Sequence, residues 1–105
     1  MIISAHLSNK DESIQAIVNH LLTRFKNSGI RIRDHWPDDK MAVGLTDKAS
    51  KHLVYISTFG QPRSRFYISL ENLLTGQELP YEPAGDFNHI PLKELEKMIS
   101  EHLRL

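Results

Sequence analysis

The residues best able to do chemistry lie together in Asp34-His35-Trp36-Pro37-Asp38-Asp39. Three carboxylates and an imidazole within one short segment could offer oxygen and nitrogen ligands to a divalent cation. The spacing matches no calcium-binding loop, however, and Pro37 restricts how those groups converge. The segment also holds the chain's one tryptophan. A large aromatic in a charged, turn-forming stretch has two uses. It folds back as a lid on the core, or it is held out as an anchor, since Trp, Tyr and Arg concentrate at interface hot spots. In the second case the surrounding carboxylates would steer a basic partner and fix its orientation.

Other chemistry is sparse. The six histidines, His6, His20, His35, His52, His89 and His102, are scattered, and none forms an HxxxH or HExxH pair. His20 and His102 fall on or beside helix faces, where surface or boundary roles are expected. The absence of cysteine excludes disulfides, thiolate metal sites and cysteine nucleophiles together. No GxSxG elbow is present, and the glycines are isolated, so no phosphate-cradling loop is expected. The chain therefore reads as a non-enzyme with no cofactor. Arg63-Ser64-Arg65-Phe66-Tyr67-Ile68 mixes cations and aromatics as an RNA-recognition sheet does. It lacks that motif's glycine, and the order of elements differs, so an RNA-binding module is the alternative reading.

Bulk properties narrow the class. The 105 residues are 40% hydrophobic and 25% charged, which suits one ordinary globular domain. Thirteen basic residues balance thirteen acidic ones. An unselective nucleic-acid binder normally needs a basic excess, so zero net charge argues against one. The balance hides a polarity: residues 1–70 carry ten Lys/Arg against six Asp/Glu, and residues 71–105 carry three against seven. The first residues, Met1 to Leu7, lack the basic start and long apolar run of a signal peptide. No apolar run reaches the ~20 residues needed to span a bilayer. A cytoplasmic protein is expected, without membrane association.

The elements that must position these groups follow from periodicity. Ile14, Ile17, Val18, Leu21, Leu22 and Phe25 recur on one helical face, which predicts a helix over 10–28. Ser8 or Asn9 is expected to cap it, Asp11 and Glu12 to favour its first turn, and Gly29 to stop it. The period then falls to two. Strands are predicted over Ile30–Arg33, Met41–Leu45, His52–Thr58 and Arg65–Leu70, with hairpins joining the first pair and the last pair. Met1 to Leu7 fits an edge strand or a lead-in to the helix. Residues 71–89 show no sustained period and predict a long loop, with Tyr81 and Phe87 pinning it to the body. Pro91 opens a final helix striped by Leu92, Leu95, Ile99 and Leu103. The expected fold is α+β: an antiparallel sheet of about four strands packed against an N-terminal and a C-terminal helix. Its other face would carry Arg31, Arg33, Arg65 and Tyr67.

Across residues 30–105 the chain resembles small bacterial immunity proteins of contact-dependent growth inhibition systems. The likeness is one of length, element order and texture. It is carried by Leu53-Val54-Tyr55-Ile56-Ser57, Arg65-Phe66-Tyr67-Ile68-Ser69-Leu70 and Ile90-Pro91-Leu92-Lys93-Glu94-Leu95. The resemblance implies a non-catalytic cytoplasmic protein that neutralises one cognate toxin domain, often a nuclease. Inhibitors of basic nucleases tend to be acidic, and this chain is neutral, so acidic complementarity must be local. Such families share no binding residues to carry over; read from the residues themselves, the candidate partner-binding positions are Asp34, His35, Trp36, Asp38 and Asp39 in one segment, with Tyr81, Glu82 and Asp86 in another. Trp36 and Tyr81 would be the apolar anchors, and Glu78 a further acid.

Overall fold

The computed structural model describes residues 8–34, 38–73 and 81–105. The first element is helix α1, Glu12–Arg24. It begins at Asp11 rather than at Ser8 or Asn9, because the Asp11 carboxylate accepts the Ser13 N–H at 3.0 Å. It also ends short of the predicted stop. Phe25 is the C-cap, and the chain leaves through Asn27 and Gly29, both at positive φ. Gly29 is needed for a second reason. A Cβ there would sit 2.9 Å from the Cβ of Lys48, so the backbone can approach that turn only without a side chain.

The sheet follows as five strands: β1 (Arg31–Ile32), β2 (Ala42–Thr46), β3 (His52–Ser57), β4 (Arg65–Leu73) and β5 (Tyr81–Pro91). They lie in chain order and every neighbouring pair is antiparallel. Helix α2, Leu92–Leu103, closes the chain. The α+β class and the two covering helices agree with expectation; the strand count does not. Residues 71–73 extend β4, and residues 81–91 form β5 where a loop was predicted. Two irregularities hid that strand. Between Phe66 and Ile68 of β4 the partners on β5 run from Ile90 to Phe87, and between Ser69 and Glu71 they run from Asp86 to Pro83. Each step adds one residue to β5, and each addition turns the following side chains to the other face. His89 and Gly85 supply the positive φ values, 54° and 122°, that these bulges use. An edge position also tolerates Pro83, whose missing N–H would break an interior ladder.

Both helices cover one face. Ile14, Ile17, Val18 and Leu21 of α1 join Leu95, Ile99 and Leu103 of α2 over Val43, Leu45, Val54, Ile56, Ile68 and Ile90. Each such side chain, taken out of water, contributes on the order of 1.5–3 kcal/mol before entropy is counted. The helices are tied to one another at the surface by Glu96, which meets His20 at 3.0 Å and Arg24 at 3.5 Å. In β2 all five residues are buried. Its outward residues are small, and Gly44 lies opposite the larger Tyr55 of β3.

Candidate partner-binding site

On β3, Val54 and Ile56 point under the helices, so Tyr55 between them points the other way. On β4, Phe66 and Ile68 do the same and turn Tyr67 outward. The register pairs Tyr55 with Ser69 and Ser57 with Tyr67, which makes the two tyrosines diagonal neighbours. Their rings meet edge to face, with centroids 6.1 Å apart and planes at 74°.

Each hydroxyl donates to an aspartate from a different part of the chain. Tyr55 donates to Asp39 Oδ2 at 3.1 Å, and Tyr67 donates to Asp86 Oδ2 at 3.2 Å. Asp39 comes from the β1–β2 connection and Asp86 from the bulged stretch of β5. The pairing of Ser69 with Asp86 brings the latter onto the tyrosine face. Burial, reinforced by the charge of Asp39 and its hydrogen bond, pushes the Tyr55 phenol up to about 12. Burial and then Asp86 raise the Tyr67 phenol in the same way. At neutral pH both phenols are therefore proton donors and neither is a base. The result is a ledge of two rings flanked by two carboxylates, both on exposed residues. Carboxylates with several acceptor sites each can bind a partner's cations while still holding the tyrosines.

The Asp39 arm is anchored from behind. Lys10, with its side chain 0% exposed, pairs with Asp34 at 2.8 Å and donates to the Asp39 carbonyl at 2.6 Å. Asp39 Oδ1 also accepts the Met41 N–H at 3.0 Å. Asp34 is placed differently from the other acids: its side chain is 5% exposed and paired with Lys10, so it ties the loop to the start of α1. Asp38 is exposed. His35, Trp36 and Glu78 lie outside the described residues, as does the side chain of Tyr81. Glu82 is exposed on β5, paired across the ladder with Asn72. Of the acids read from sequence, Asp39 and Asp86 are thus brought to one ledge. Neither Tyr55 nor Tyr67 is among the partner-binding positions read from sequence, where Tyr67 falls on the alternative RNA-binding face. The signal was present: two outward tyrosines on consecutive strands of one hairpin must share a face.

The arginines do not gather there. Alternation turns Arg31, Arg33, Arg65 and Tyr67 to one face, but Arg33 hydrogen-bonds Gly44 on the β1 side, while Arg65 pairs with Pro91 at the far end of β4. Two strands, β2 and β3, lie between the two cations. Of the histidines, His52 is bound through Nδ1 to Asp47 at 2.9 Å. Asp47 also accepts the N–H groups of Lys51 and His52, closing the β2–β3 turn. His102 donates to the Glu71 carbonyl at 2.8 Å and packs edge-on to His52. Among the described residues no three His, Asp or Glu side chains converge as metal ligands. Among them, too, no helix is long and apolar enough to cross a membrane. No family model, curated protein or solved structure matches this chain.

Proposed function

We propose that the chain is a binding protein that neutralises a cognate toxin domain by covering its active site, with the tyrosine–aspartate ledge as the contact surface. The observation that supports this reading is the convergence of Asp39 and Asp86, from segments far apart in sequence, around one aromatic pair. A surface that binds nucleic acid must present cations to phosphates. An acidic ledge complements such a surface, so a nuclease is the toxin class that fits best. The rings provide apolar contact area with few rotatable bonds, which sets residence time. The carboxylates speed the encounter and orient it, and that effect weakens with salt. An immunity role in a bacterial growth-inhibition pair is the biological form of this reading, and it needs neither cofactor nor catalysis.

The test is complex formation with the product of the gene immediately upstream. Asp39→Asn with Asp86→Asn is expected to slow association and flatten its salt dependence. Tyr67→Ala is expected to speed dissociation by roughly tenfold or more, the equivalent of about 1.4 kcal/mol. Unchanged affinity in a folded triple variant would sink the assignment of this ledge. Salt-sensitive binding of single-stranded RNA, lost on Arg65→Ala and Tyr67→Ala, would instead support the RNA-binding alternative. The carboxylates beside both hydroxyls weigh against that outcome, because they stand where phosphates would have to lie.

A further inference from the structure

A groove of about 800 Å³ opens on the helix side of the sheet, where β3 turns into β4. Ala16, Ile17, Phe66 and Leu92 supply its apolar lining. Its flanks differ in charge. The first turn of α1 contributes Glu12, and the turn before β4 contributes Arg63. Both are exposed, and neither has an ion-pair partner among the described residues. The groove is therefore acid on one side and basic on the other, with neither charge neutralised among the described residues.

Beside this groove stands Phe59, the most exposed large hydrophobic among the described residues at 75%. The turn that carries it is braced. Its backbone closes through Gln61 N–H to the Thr58 carbonyl at 3.1 Å and Arg65 N–H to the Pro62 carbonyl at 3.0 Å. The Gln61 side chain donates to Asn88 Oδ1 at 2.7 Å and accepts the His89 N–H at 3.0 Å. Phe59 N–H is itself held by Ser57 Oγ at 3.1 Å. A ring kept in water on a stiff turn, rather than folded onto the body, is a knob prepared for burial.

A knob next to a hole, with opposite charges on the two flanks of that hole, is complementary to a second copy of itself. We infer that the chain self-associates through this groove as a symmetric dimer, with the second copy as the occupant: each Phe59 enters the other copy's groove, and Arg63 of each copy meets Glu12 of the other. One loop tip and one groove make a contact at the small end of specific interfaces, so association is weak and concentration-dependent. The surface is independent of the tyrosine–aspartate ledge, because Phe66 faces the groove while Tyr67 faces the opposite side of the sheet.

The test is sedimentation equilibrium of the full chain from micromolar to near-millimolar concentration, with circular dichroism to check folding. The wild-type mass is expected to rise toward that of a dimer, and added salt to oppose the rise. Phe59→Ser is expected to weaken association by roughly tenfold or more. Glu12→Lys and Arg63→Glu each set like charges against one another twice, and each alone is expected to stay monomeric. Mixed in equal amounts, they are expected to dimerise again, since only the mixed pair restores opposite charges at both contacts. A wild-type chain that stays monomeric throughout overturns the inference and leaves the groove to a different occupant. So does a dimer that survives both single reversals, or a mixture that remains monomeric.

Discussion

At the scale of single residues, the most consequential pair is Lys10 and Asp34. Two charges with almost no exposure stabilise a fold largely through the ion pair they form with each other. Removing one takes that buried ion pair from the other. Lys10→Met is therefore expected to destabilise the protein by about 3–5 kcal/mol in urea unfolding. Lys10→Met combined with Asp34→Leu should recover a large part of that loss, because both charges of the pair are then removed. A cost for the single change no larger than for the double would show that the pair carries little of the structure. Tyr55 offers a spectroscopic handle on the ledge. Its phenol lies at about 12 against an ordinary 10.0, raised first by burial and then by Asp39. A folded-state value above the unfolded one means the contribution is complete below pH 10. It is lost as pH rises through the window up to about 12. Asp39→Asn removes the charge but not the burial, so phenolate absorbance should appear earlier in an alkaline titration, though still above the ordinary value. An unmoved titration would mean Asp39 does not face Tyr55 in solution.

At the scale of elements, β5 carries the most information. Its two bulges turn Asp86 onto the tyrosine face while Ile90 returns to the core beside Phe66. Gly85 holds φ at 122°, a region that side chains rarely enter. Among the described residues a methyl group there would meet the Phe87 ring at an ordinary 3.5 Å, so the penalty of Gly85→Ala is backbone strain. That strain is expected to cost about 1–3 kcal/mol, read from thermal or urea unfolding. The variant should also weaken partner binding, since Asp86 is the next residue. The β2–β3 turn has its own pH dependence. Burial pushes the Asp47 carboxyl up, but hydrogen bonds from His52 and Lys51 outweigh it and leave the group below its ordinary 3.8. A depressed folded value gives stability above pH 3.8 that is lost as pH falls below it. Asp47→Ala should therefore flatten the acid limb of the unfolding curve.

At the scale of the whole molecule, the two sides of the sheet divide the work. One side holds the helices and, at its end, the amphoteric groove beside Phe59. The other holds the ledge of Tyr55, Tyr67, Asp39 and Asp86. With a net charge of zero, the chain has no long-range field of one sign, and any steering comes from local patches. The two surfaces are expected to act additively. Glu12→Lys should leave partner affinity unchanged, and Asp39→Asn with Asp86→Asn should leave self-association unchanged, each measured in the other's assay. Strong coupling between them would mean that one surface, not two, is in use.

Much of the architecture was legible in the sequence because periodicity is a local property. The apolar stripe from Ile14 to Leu21 specifies α1, and that of Leu92, Leu95, Ile99 and Leu103 specifies α2. Alternation around Val54, Ile56, Phe66 and Ile68 specifies the central hairpin and, with it, which tyrosines face outward. β5 was not legible, because each bulge resets the alternation by one residue and its exposed edge leaves no apolar pattern to detect. Nor was the fate of the acidic segment. Asp34, Asp38 and Asp39 are equivalent as letters, and only the arrival of Lys10 from the start of α1 makes the first a buried tie and anchors the third. The meeting of Asp39 with Asp86 likewise depends on strand register across the sheet. Composition and periodicity determined the two helices and the first four strands; tertiary structure alone decided β5, which charges are buried and which share a surface, because strand pairing, ion pairing and register are set between residues remote in sequence.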